Sequence, residues 1–280
     1  MKDQSFSVEF FPPKTEKGAE NLAKVRKAFA KLNPAFFSVT YGAGGSTQDS
    51  TMSTVIETQK ETGIPTASHL SCVGSSKEQI RDILTVYKEN DINRLVALRG
   101  DLPSGMRDIG DFEYANELIE FIRHETGDYF QIEAAAYPEM HPQAPNFQKD
   151  MENFARKMHA GADRAITQYF YNPDGYFYFV ESARKAGVEA PIVPGIMPIT
   201  NFTQLARFSD STGAEIPRWL RKRLESYGDD LESIQKLGFE FVTQMCETLL
   251  AGGAPGLHFY SMNKTEPSLS MWQQLGLSSR

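Results

Sequence analysis

Cysteine is scarce in this sequence, and long hydrophobic runs are missing. The 280 residues include two cysteines, Cys72 and Cys246, which lie far apart and have no histidine pair at metal-ligand spacing near them. No apolar run approaches the roughly 20 residues that a membrane-spanning helix requires. The first residues, MKDQSFSVEFFPP, lack the basic segment and apolar core of a secretory signal. The sequence therefore predicts a cytoplasmic protein with reduced thiols, no membrane segment and no metal site.

Positive charge is also in short supply. Lysine and arginine number 29 against 36 aspartates and glutamates, which gives a net charge of −7 and a pI of about 5.4. This balance argues against a nucleic-acid or membrane-surface partner, so an anionic ligand has to meet a local cluster of basic side chains. The composition is otherwise that of a globular domain, and no linker or charge block divides it. We predict one domain over residues 1–280 that acts on small molecules.

Short apolar runs rich in β-branched and aromatic residues alternate with longer amphipathic stretches. The predicted strands are 5–12, 35–42, 66–72, 94–100, 131–137, 164–171, 191–197 and 256–262. The predicted helices are 16–32, 48–62, 76–90, 111–125, 147–160, 173–187, 202–210 and 231–251, with one extra helix at 214–228 before the last strand. Alternation indicates parallel strands joined by helical crossovers. A doubly wound sheet would also alternate, but eight evenly spaced units favour an α/β fold of the single (β/α)₈ TIM-barrel type.

Polar and aromatic residues recur where the predicted strands end. In a barrel of this type the chemistry lies at the C-terminal ends of the strands, where the βα loops form the open face. The residues at or just beyond these ends include Thr40, Tyr41, His69, Arg99, Asp101, Tyr137, His141, Gln168, His258, Tyr260 and Lys264. Each of them alone fits an ordinary structural role, such as a hydrogen-bonded core histidine. Their repetition at corresponding positions favours an active site.

Glu9 is the most unusual residue of the first predicted strand. Side chains alternate between the two faces of a strand, so Phe6, Val8 and Phe10 share one face while Ser7 and Glu9 share the other, which points into the barrel. Burial of a carboxyl group raises its pKa, and a carboxylic acid that stays protonated near neutral pH can act as a general acid. A buried structural salt bridge explains the same residue equally well.

Two further patterns bear on nucleotide binding. The run GAGGST at 42–47 follows a strand and precedes a helix, but its spacing matches neither the Rossmann fingerprint nor a P-loop. A tight turn explains it, and a dinucleotide must be bound by some other arrangement. Asp150, Asn153, Arg156 and Lys157 are spaced so that they share one helix face. Such a stripe is usually solvated, but at the open end of a barrel it can also bind a ribose and pyrophosphate.

Seven short segments together resemble the methylenetetrahydrofolate reductase family. They are VEFFPPK (8–14), SVTYGA (38–43), ALRGDLP (97–103), AAYPE (135–139), GADRAITQ (161–168), PGIMP (194–198) and HFY (258–260). With the segment that ends at Lys264 they cover nearly the whole chain in order. The resemblance implies a bacterial-type, barrel-only enzyme that binds FAD without a Rossmann motif. The expected reaction is a ping-pong relay in which NADH or NADPH reduces FAD, and FAD reduces 5,10-methylenetetrahydrofolate to 5-methyltetrahydrofolate for methionine synthesis.

The resemblance also implies roles for individual residues. Glu9 is similar to the general acid of the family, Asp101 to a carboxylate beside the flavin and the pterin, and Gln168 to a residue that contacts folate and nicotinamide in turn. The expected substrate contacts are Thr40, Asp101, Gln168, Gln204, Phe208 and Lys264. The expected flavin contacts are Tyr41, Ala43, His69, Arg99, Gly100, Asp101, Tyr114, Ala115, Tyr137, His141, Ala144, Asp150, Asn153, Arg156 and Lys157. Many members have arginine where Gln48 and Lys264 stand. Lysine keeps the charge but lacks the planar fork that suits a carboxylate, so a weaker contact with the folate glutamate is expected at Lys264.

Other readings remain open at this point. One is a different flavin-dependent barrel enzyme, such as one similar to proline dehydrogenase, although no segment of this chain favours it. A second is a folate-binding subunit without turnover, which would have no evident need for Glu9, Asp101 and Gln168 together. A third is a family member that works without tightly held flavin. Family members are commonly homo-oligomers, and we expect the same here.

Overall fold

Eight parallel strands close into a barrel, in a computed structural model that describes residues 4–41, 45–100 and 110–277, apart from the side chains of 45–48. Each strand pairs with the next one in sequence, and the last pairs with the first. The strands are β1 (Ser5–Phe10), β2 (Phe36–Val39), β3 (Thr66–Ser71), β4 (Arg94–Leu98), β5 (Gln131–Ala136), β6 (Arg164–Tyr169), β7 (Ile192–Ile196) and β8 (Gly256–Tyr260). The prediction of a (β/α)₈ barrel is confirmed.

Helices separate the strands along the chain. They are α1 (Glu16–Ala30), α2 (Gly45–Thr62), α3 (Lys77–Glu89), α4 (Ala115–Thr126), α5 (Phe147–His159), α6 (Pro173–Lys185), α7 (Phe202–Thr212), α8 (Arg218–Ser226), α9 (Leu231–Ala251) and α10 (Ser268–Gln274). The extra helix before the last strand is confirmed as α8. Helix α10 is not among the predicted helices, because its seven residues are too few to show a helical period.

Side-chain caps fix where several helices begin. Thr15, Asn146 and Asn201 each accept a hydrogen bond from the backbone N–H three residues further on, which satisfies a donor that has no partner within the helix. Ser76 and Gln79 form a reciprocal capping box at the start of α3. These helix starts follow the loops at the C-terminal ends of the strands.

The two faces of β1 divide as the alternation predicts. The outward residues pack against the helices: the Phe6 ring lies 5.6 Å from that of Trp272, and the Phe10 ring lies 6.2 Å from that of Phe29. The inward Ser7 hydroxyl lies 2.7 Å from Nδ1 of His258 on β8. The lumen therefore contains the polar side chains of β1, and the apolar ones stabilise the contact with the helices.

The lower part of the lumen is closed. Phe36, Ala67, Val96 and Ile166 form a small apolar cluster separate from the main core. Below it, at the N-terminal ends of the strands, Arg94 Nη1 lies 3.3 Å from Glu133 Oε1 and stacks over the ring of Phe36 at 4.6 Å. Because described side chains fill the N-terminal end, the C-terminal end is where we expect a ligand to enter the lumen.

Candidate active site

Glu9 lies at the open end of the lumen between two histidines. Its Oε2 is 3.2 Å from Nε2 of His69 on β3 and 3.5 Å from Nε2 of His258 on β8. Glu9 and His69 are close enough for an ion pair, but the geometry at His69 Nε2 is not that of an aligned hydrogen bond. The side chain of Glu9 is 17% exposed, whereas that of His258 is fully buried. One edge of the carboxylate thus remains open to a ligand.

The predicted direction of the Glu9 pKa shift is wrong. Burial does act to raise this pKa, as the sequence suggests. The contacts and charges of His258 and His69 outweigh it, and the pKa falls from 4.5 to about 2. Glu9 is therefore a carboxylate in the free protein. Any proton that it delivers must first be taken up, from the imidazoles beside it or from solvent.

A hydrogen-bonded pocket fixes the orientation of His258. Nδ1 lies 2.7 Å from the Ser7 hydroxyl, Nε2 lies 3.4 Å from that of Ser38, and the ring stacks on Phe36 with 6.0 Å between centroids. If Ser7 donates to Nδ1, the Nε2 proton faces Glu9. His258 is among the strand-end residues that favour an active site, but the sequence assigned no role to it or to Ser7. The position of Ser7 on the inward face of β1 and that of His258 near the end of β8 could have indicated that both side chains face the lumen.

Tyr260 shares the inward face of β8 with His258, and the centroids of their rings are 5.4 Å apart. Its hydroxyl donates to the carbonyl of Thr167 over 2.6 Å, and the Thr167 hydroxyl accepts from the backbone N–H of Gly195 over 2.9 Å. A Cβ atom on Gly195 would lie only 2.2 Å from the Thr167 carbonyl oxygen and 2.7 Å from the Tyr260 hydroxyl. Glycine is therefore required at this position of β7.

Gln168 and Thr40 lie at strand ends, as the sequence predicts. The amide oxygen of Gln168 accepts from the backbone N–H of Tyr169 over 2.9 Å, where the register between β6 and β7 shifts. That hydrogen bond fixes the orientation of the side-chain amide, so its NH₂ group points away from the backbone N–H of Tyr169. Thr40 follows β2, and its carbonyl accepts from the hydroxyl of Thr51 over 3.0 Å. Both side chains are partly exposed, which suits contact with a substrate.

The loop after β5 brings several predicted flavin contacts together. The rings of Tyr137 and His141 meet edge to face with centroids 4.5 Å apart. The backbone N–H of His141 donates to Asp150 over 2.8 Å, which ties the loop to α5. The guanidinium of Arg99, the residue after β4, reaches the same loop and donates to Gln143 over 2.6 Å. Ala144 lies in this loop, with its N–H on the His141 carbonyl.

Lys157 projects from α5 towards the C-terminal end of β5. Its ammonium group donates to the carbonyl of Ala135 over 2.6 Å. Burial lowers the pKa of Lys157 from 10.5 to about 8, against the opposing charge of Asp150. A partly buried cation whose described hydrogen bond is to one carbonyl is suited to an anionic ligand.

The polar stripe of α5 divides into two parts. Asp150 and Lys157 turn towards the barrel, as their hydrogen bonds show. Arg156 is exposed and lines a surface groove of about 800 Å³ between α5 and α6, together with His159 and Lys185. Asn153 is also exposed. Residues 153 and 156 therefore do not share the inward position of Lys157.

The remaining described flavin-contact candidates surround the same opening. Tyr41 is half-buried, and burial followed by the charge of Asp49 raises the pKa of its phenol. Tyr114 is 48% exposed, whereas Ala115 is buried at the start of α4. Gly100 has a φ of +87°, and a Cβ there would lie 1.9 Å from the Ser71 hydroxyl oxygen, so the backbone can take this path only with glycine.

The predicted folate contacts lie on α7 and after β8. Gln204 and Phe208 are exposed and one helical turn apart, with Phe208 at 42% exposure. Lys264 is exposed in the loop that follows β8. That loop is held to β1 by Asn263, which bonds the backbone of Phe11 in both directions over 3.0 and 2.8 Å. Asp101, Ala43 and the side chain of Gln48 lie outside the described residues.

Glu139 is a second unusual carboxyl group at this end, and it is not among the predicted site residues. Burial raises its pKa from 4.5 to about 7, although a hydrogen bond from the backbone N–H of Glu215 over 2.8 Å acts to lower it. This bond links the loop after β5 to the segment between α7 and α8. The loop that carries several predicted flavin contacts is thus joined to the segment that follows α7, the helix of Gln204 and Phe208.

The donor set suits an aromatic, anionic cofactor better than a metal. Lys157 and Arg99 supply cationic groups, and Tyr41, Tyr114 and Tyr137 supply aromatic ones. Among the described residues, no three histidine, cysteine, aspartate or glutamate side chains are grouped so that they could hold a metal ion. In the same part of the chain, no helix is long and apolar enough to cross a membrane.

The sequence model of the methylenetetrahydrofolate reductase family matches residues 1–276. The chain is 38% identical to 5,10-methylenetetrahydrofolate reductase of Escherichia coli K12 over 97% of this chain and 90% of that protein. It is also 38% identical to methylenetetrahydrofolate reductase (NADH) 1 of Arabidopsis thaliana, over 98% of this chain but 48% of that longer protein. A solved structure from Clostridium thermocellum, described as binding two copies of 5-methyl-5,6,7,8-tetrahydrofolic acid, has the same fold with a TM-score of 0.66. That match has 18% identity and covers 96% of this chain and 93% of the other.

Proposed function

Because the chain belongs to the methylenetetrahydrofolate reductase family, we propose that it reduces 5,10-methylenetetrahydrofolate to 5-methyltetrahydrofolate at the open end of the barrel. The hydride comes from NADH or NADPH, and FAD is the bound cofactor. The names of the bacterial and plant relatives support the reaction. The observation that carries the proposal for this chain is the placement of Glu9, which lies between His69 and His258 with one edge open.

The reaction consumes one proton as well as one hydride. Opening the methylene bridge breaks the bond between N10 and the bridging carbon, and N10 takes up a proton. The 5-iminium cation that results accepts the hydride at the same carbon, which gives the methyl group. Glu9 delivers the proton to N10, and His258, His69 or solvent beyond them replaces it.

The ionised state of Glu9 in the free protein is compatible with this role, provided that substrate binding raises its pKa. A folate bound over the open edge of Glu9 removes the remaining water from the carboxylate, and this desolvation raises its pKa. When His258 carries protons on both ring nitrogens, with Ser7 accepting from Nδ1, its Nε2 proton can pass to the carboxylate, 3.5 Å away, which leaves a neutral imidazole. After Glu9 has given this proton to N10, its restored negative charge stabilises the iminium cation.

The other predicted residues bind and orient. When bound, FAD supplies a two-electron carrier that accepts the hydride from the nicotinamide and passes it to the folate. Lys157 and Arg99 supply positive charge for the pyrophosphate of the cofactor, and the loop of Tyr137 and His141 supplies aromatic contact. Gln168, Thr40 and Phe208 contact whichever substrate occupies the shared face, so the two substrates bind in turn. By resemblance, Asp101 lies beside the flavin and the pterin.

The visible spectrum of the purified protein tests both half-reactions. We expect a yellow protein whose flavin band disappears on anaerobic addition of NADH or NADPH and returns on addition of 5,10-methylenetetrahydrofolate. Bleaching without return would refute folate as the substrate. A colourless protein that stays inert after addition of FAD would favour a folate-binding subunit without turnover.

Glu9→Gln separates the two half-reactions. The amide cannot deliver a proton, so this variant should bind FAD and be bleached by the nicotinamide, but the folate should not restore its colour. Glu189→Gln, at an exposed position after α6, is the matched control and should behave as the wild type. Normal folate turnover by Glu9→Gln would refute the role of Glu9.

Three further expectations complete the proposal. The protein acts in the cytoplasm, its product is the methyl donor for methionine synthesis, and it assembles as a homo-oligomer. Light scattering on the purified protein measures the last of these. A mass equal to the 31.4 kDa chain would contradict the oligomer.

A further inference from the structure

Helix α8 concentrates positive charge in a chain that is otherwise acidic. Its nine residues, RWLRKRLES, include four basic side chains and one acidic one, whereas the whole chain has a net charge of −7. Arg218, Lys222 and Arg223 are exposed, and Arg221 is partly so. Basic side chains clustered on an acidic protein create a local field that attracts anions.

The first turn of α8 lies at the rim of the candidate active site. Three residues before Arg218, the backbone N–H of Glu215 is bound by Glu139 of the loop after β5. The Arg221 guanidinium lies 6.0 Å from the ring of Phe202, the first residue of α7. Gln204, a predicted folate contact, is two residues further along. A ligand that extends from α7 therefore meets the first turn of α8.

The basic residues of α8 differ in what already holds them. Lys222 pairs with Glu225 over 2.8 Å, and Arg223 donates to the Tyr227 hydroxyl over 3.1 Å. Within the described part of the chain, Arg218 and Arg221 have no carboxylate within 4.0 Å. They are three residues apart, so they share a helix face. These two guanidinium groups are available to an anionic ligand.

We propose that Arg218 and Arg221 bind the oligo-γ-glutamyl tail of the folate substrate. The inference rests on the proposed function, because the tail is part of that substrate. Each added glutamyl unit contributes one carboxylate, and the planar fork of arginine matches a carboxylate in two hydrogen bonds. Lys264, a single point charge in the loop after β8, is then left for the first glutamate only.

Steady-state kinetics with two folates test the inference. Because an exposed ion pair changes affinity by a factor of roughly two to five, two such pairs should lower KM for the pentaglutamyl substrate about tenfold relative to the monoglutamyl one. In Arg218→Gln/Arg221→Gln this ratio should approach one, while kcat and the monoglutamyl KM stay unchanged. The single variant Arg221→Lys keeps the charge, so it should keep most of the wild-type ratio of the two KM values. Added salt should weaken the wild-type preference.

Arg223→Gln is the matched control, because it removes the same charge from a different face of the helix. It should keep the wild-type ratio. Equal KM values for the two folates in the wild type, or an unchanged ratio in the double variant, would overturn the inference and leave the proposed function intact. If the double variant changes only the KM for NADPH, the inference is likewise overturned and the proposed function stands. Absence of turnover with both folates would overturn the proposed function and this inference with it.

Trp219 provides a readout that does not depend on turnover. It lies between the two arginines in sequence and is 57% exposed, whereas Trp272, the other tryptophan of the chain, is buried. Pentaglutamyl 5-methyltetrahydrofolate should change the tryptophan fluorescence of the holoenzyme more than the monoglutamyl form does. Trp219→Phe should remove that difference. Identical fluorescence changes with the two ligands would contradict tail binding at α8.

Discussion

Replacing Glu9 by glutamine should change how the stability of the protein depends on pH. The pKa of Glu9 falls from 4.5 to about 2 because His258 and His69 face it. This shift corresponds to about 3 kcal/mol of folding free energy, at about 1.4 kcal/mol for each unit of pKa. A carboxyl group with a lowered pKa contributes stability above its unfolded pKa, and that stability is lost as the pH falls towards the folded value.

Urea denaturation followed by circular dichroism measures this contribution. At about pH 6 Glu9→Gln should unfold with a free energy about 3 kcal/mol below that of the wild type. At about pH 3.5 the wild type has lost roughly 1.4 kcal/mol of the contribution, so the difference should narrow to about 2 kcal/mol. Glu189→Gln should follow the wild type at both pH values. A difference that widens at acid pH would mean that Glu9 is protonated in the folded protein, and it would refute the reasoning.

Three other changes test separate parts of the site. For Glu139, whose pKa is raised to about 7, the wild type should lose stability as the pH rises from 4.5 to 7. We expect this loss of unfolding free energy to be about 1–2 kcal/mol after screening by solvent, and Glu139→Gln should remove it. If the urea midpoint of Glu139→Gln has the same pH profile as that of the wild type, the raised pKa of Glu139 is contradicted. Gly195→Ala should destabilise the protein by about 1–3 kcal/mol through its clash with the Thr167 carbonyl, whereas Gly175→Ala, in open space on α6, should not; equal melting temperatures would argue against the clash. FAD affinity should fall as the pH rises through about 8, because Lys157 loses its charge there. Titration calorimetry at several pH values should show that Lys157→Met has lost this pH dependence. Lys149→Met, at an exposed position of the same helix, should keep it.

Most of the fold could be predicted because the strands are short and apolar and the helices have clear periods. The positions of the helix ends were predicted less accurately than the helices themselves. The helix predicted from 111 begins at Ala115, because the side chain of Glu117 accepts from the backbone N–H of Tyr114 and caps the helix there. The alternation along β1 gave the orientation of Glu9 correctly, since the two faces of a strand can be read from sequence alone.

The sequence could not give the charge of Glu9. Its pKa depends on His69 from β3 and His258 from β8, and their approach follows from barrel closure and strand register rather than from any local pattern. The α5 stripe shows the same limit. Helical spacing places Asp150, Asn153, Arg156 and Lys157 near one another, but only the packing of α5 on β5 shows that Lys157 turns inward while Arg156 lines the groove beside α6.

The open end of the barrel thus holds two carboxyl groups whose pKa values move in opposite directions. Glu139 keeps a proton near neutral pH, but its Oε2 already accepts the N–H of Glu215, and its position joins two loops. Glu9 is ionised, yet it faces two imidazoles and has an open edge. Proton transfer to a substrate requires access and a route for resupply as well as a suitable pKa. Glu9 has both, whereas the hydrogen bond described for Glu139 comes from a backbone N–H, which offers no route for resupply. The residue with the less favourable pKa in the free protein is therefore the better candidate for the catalytic acid.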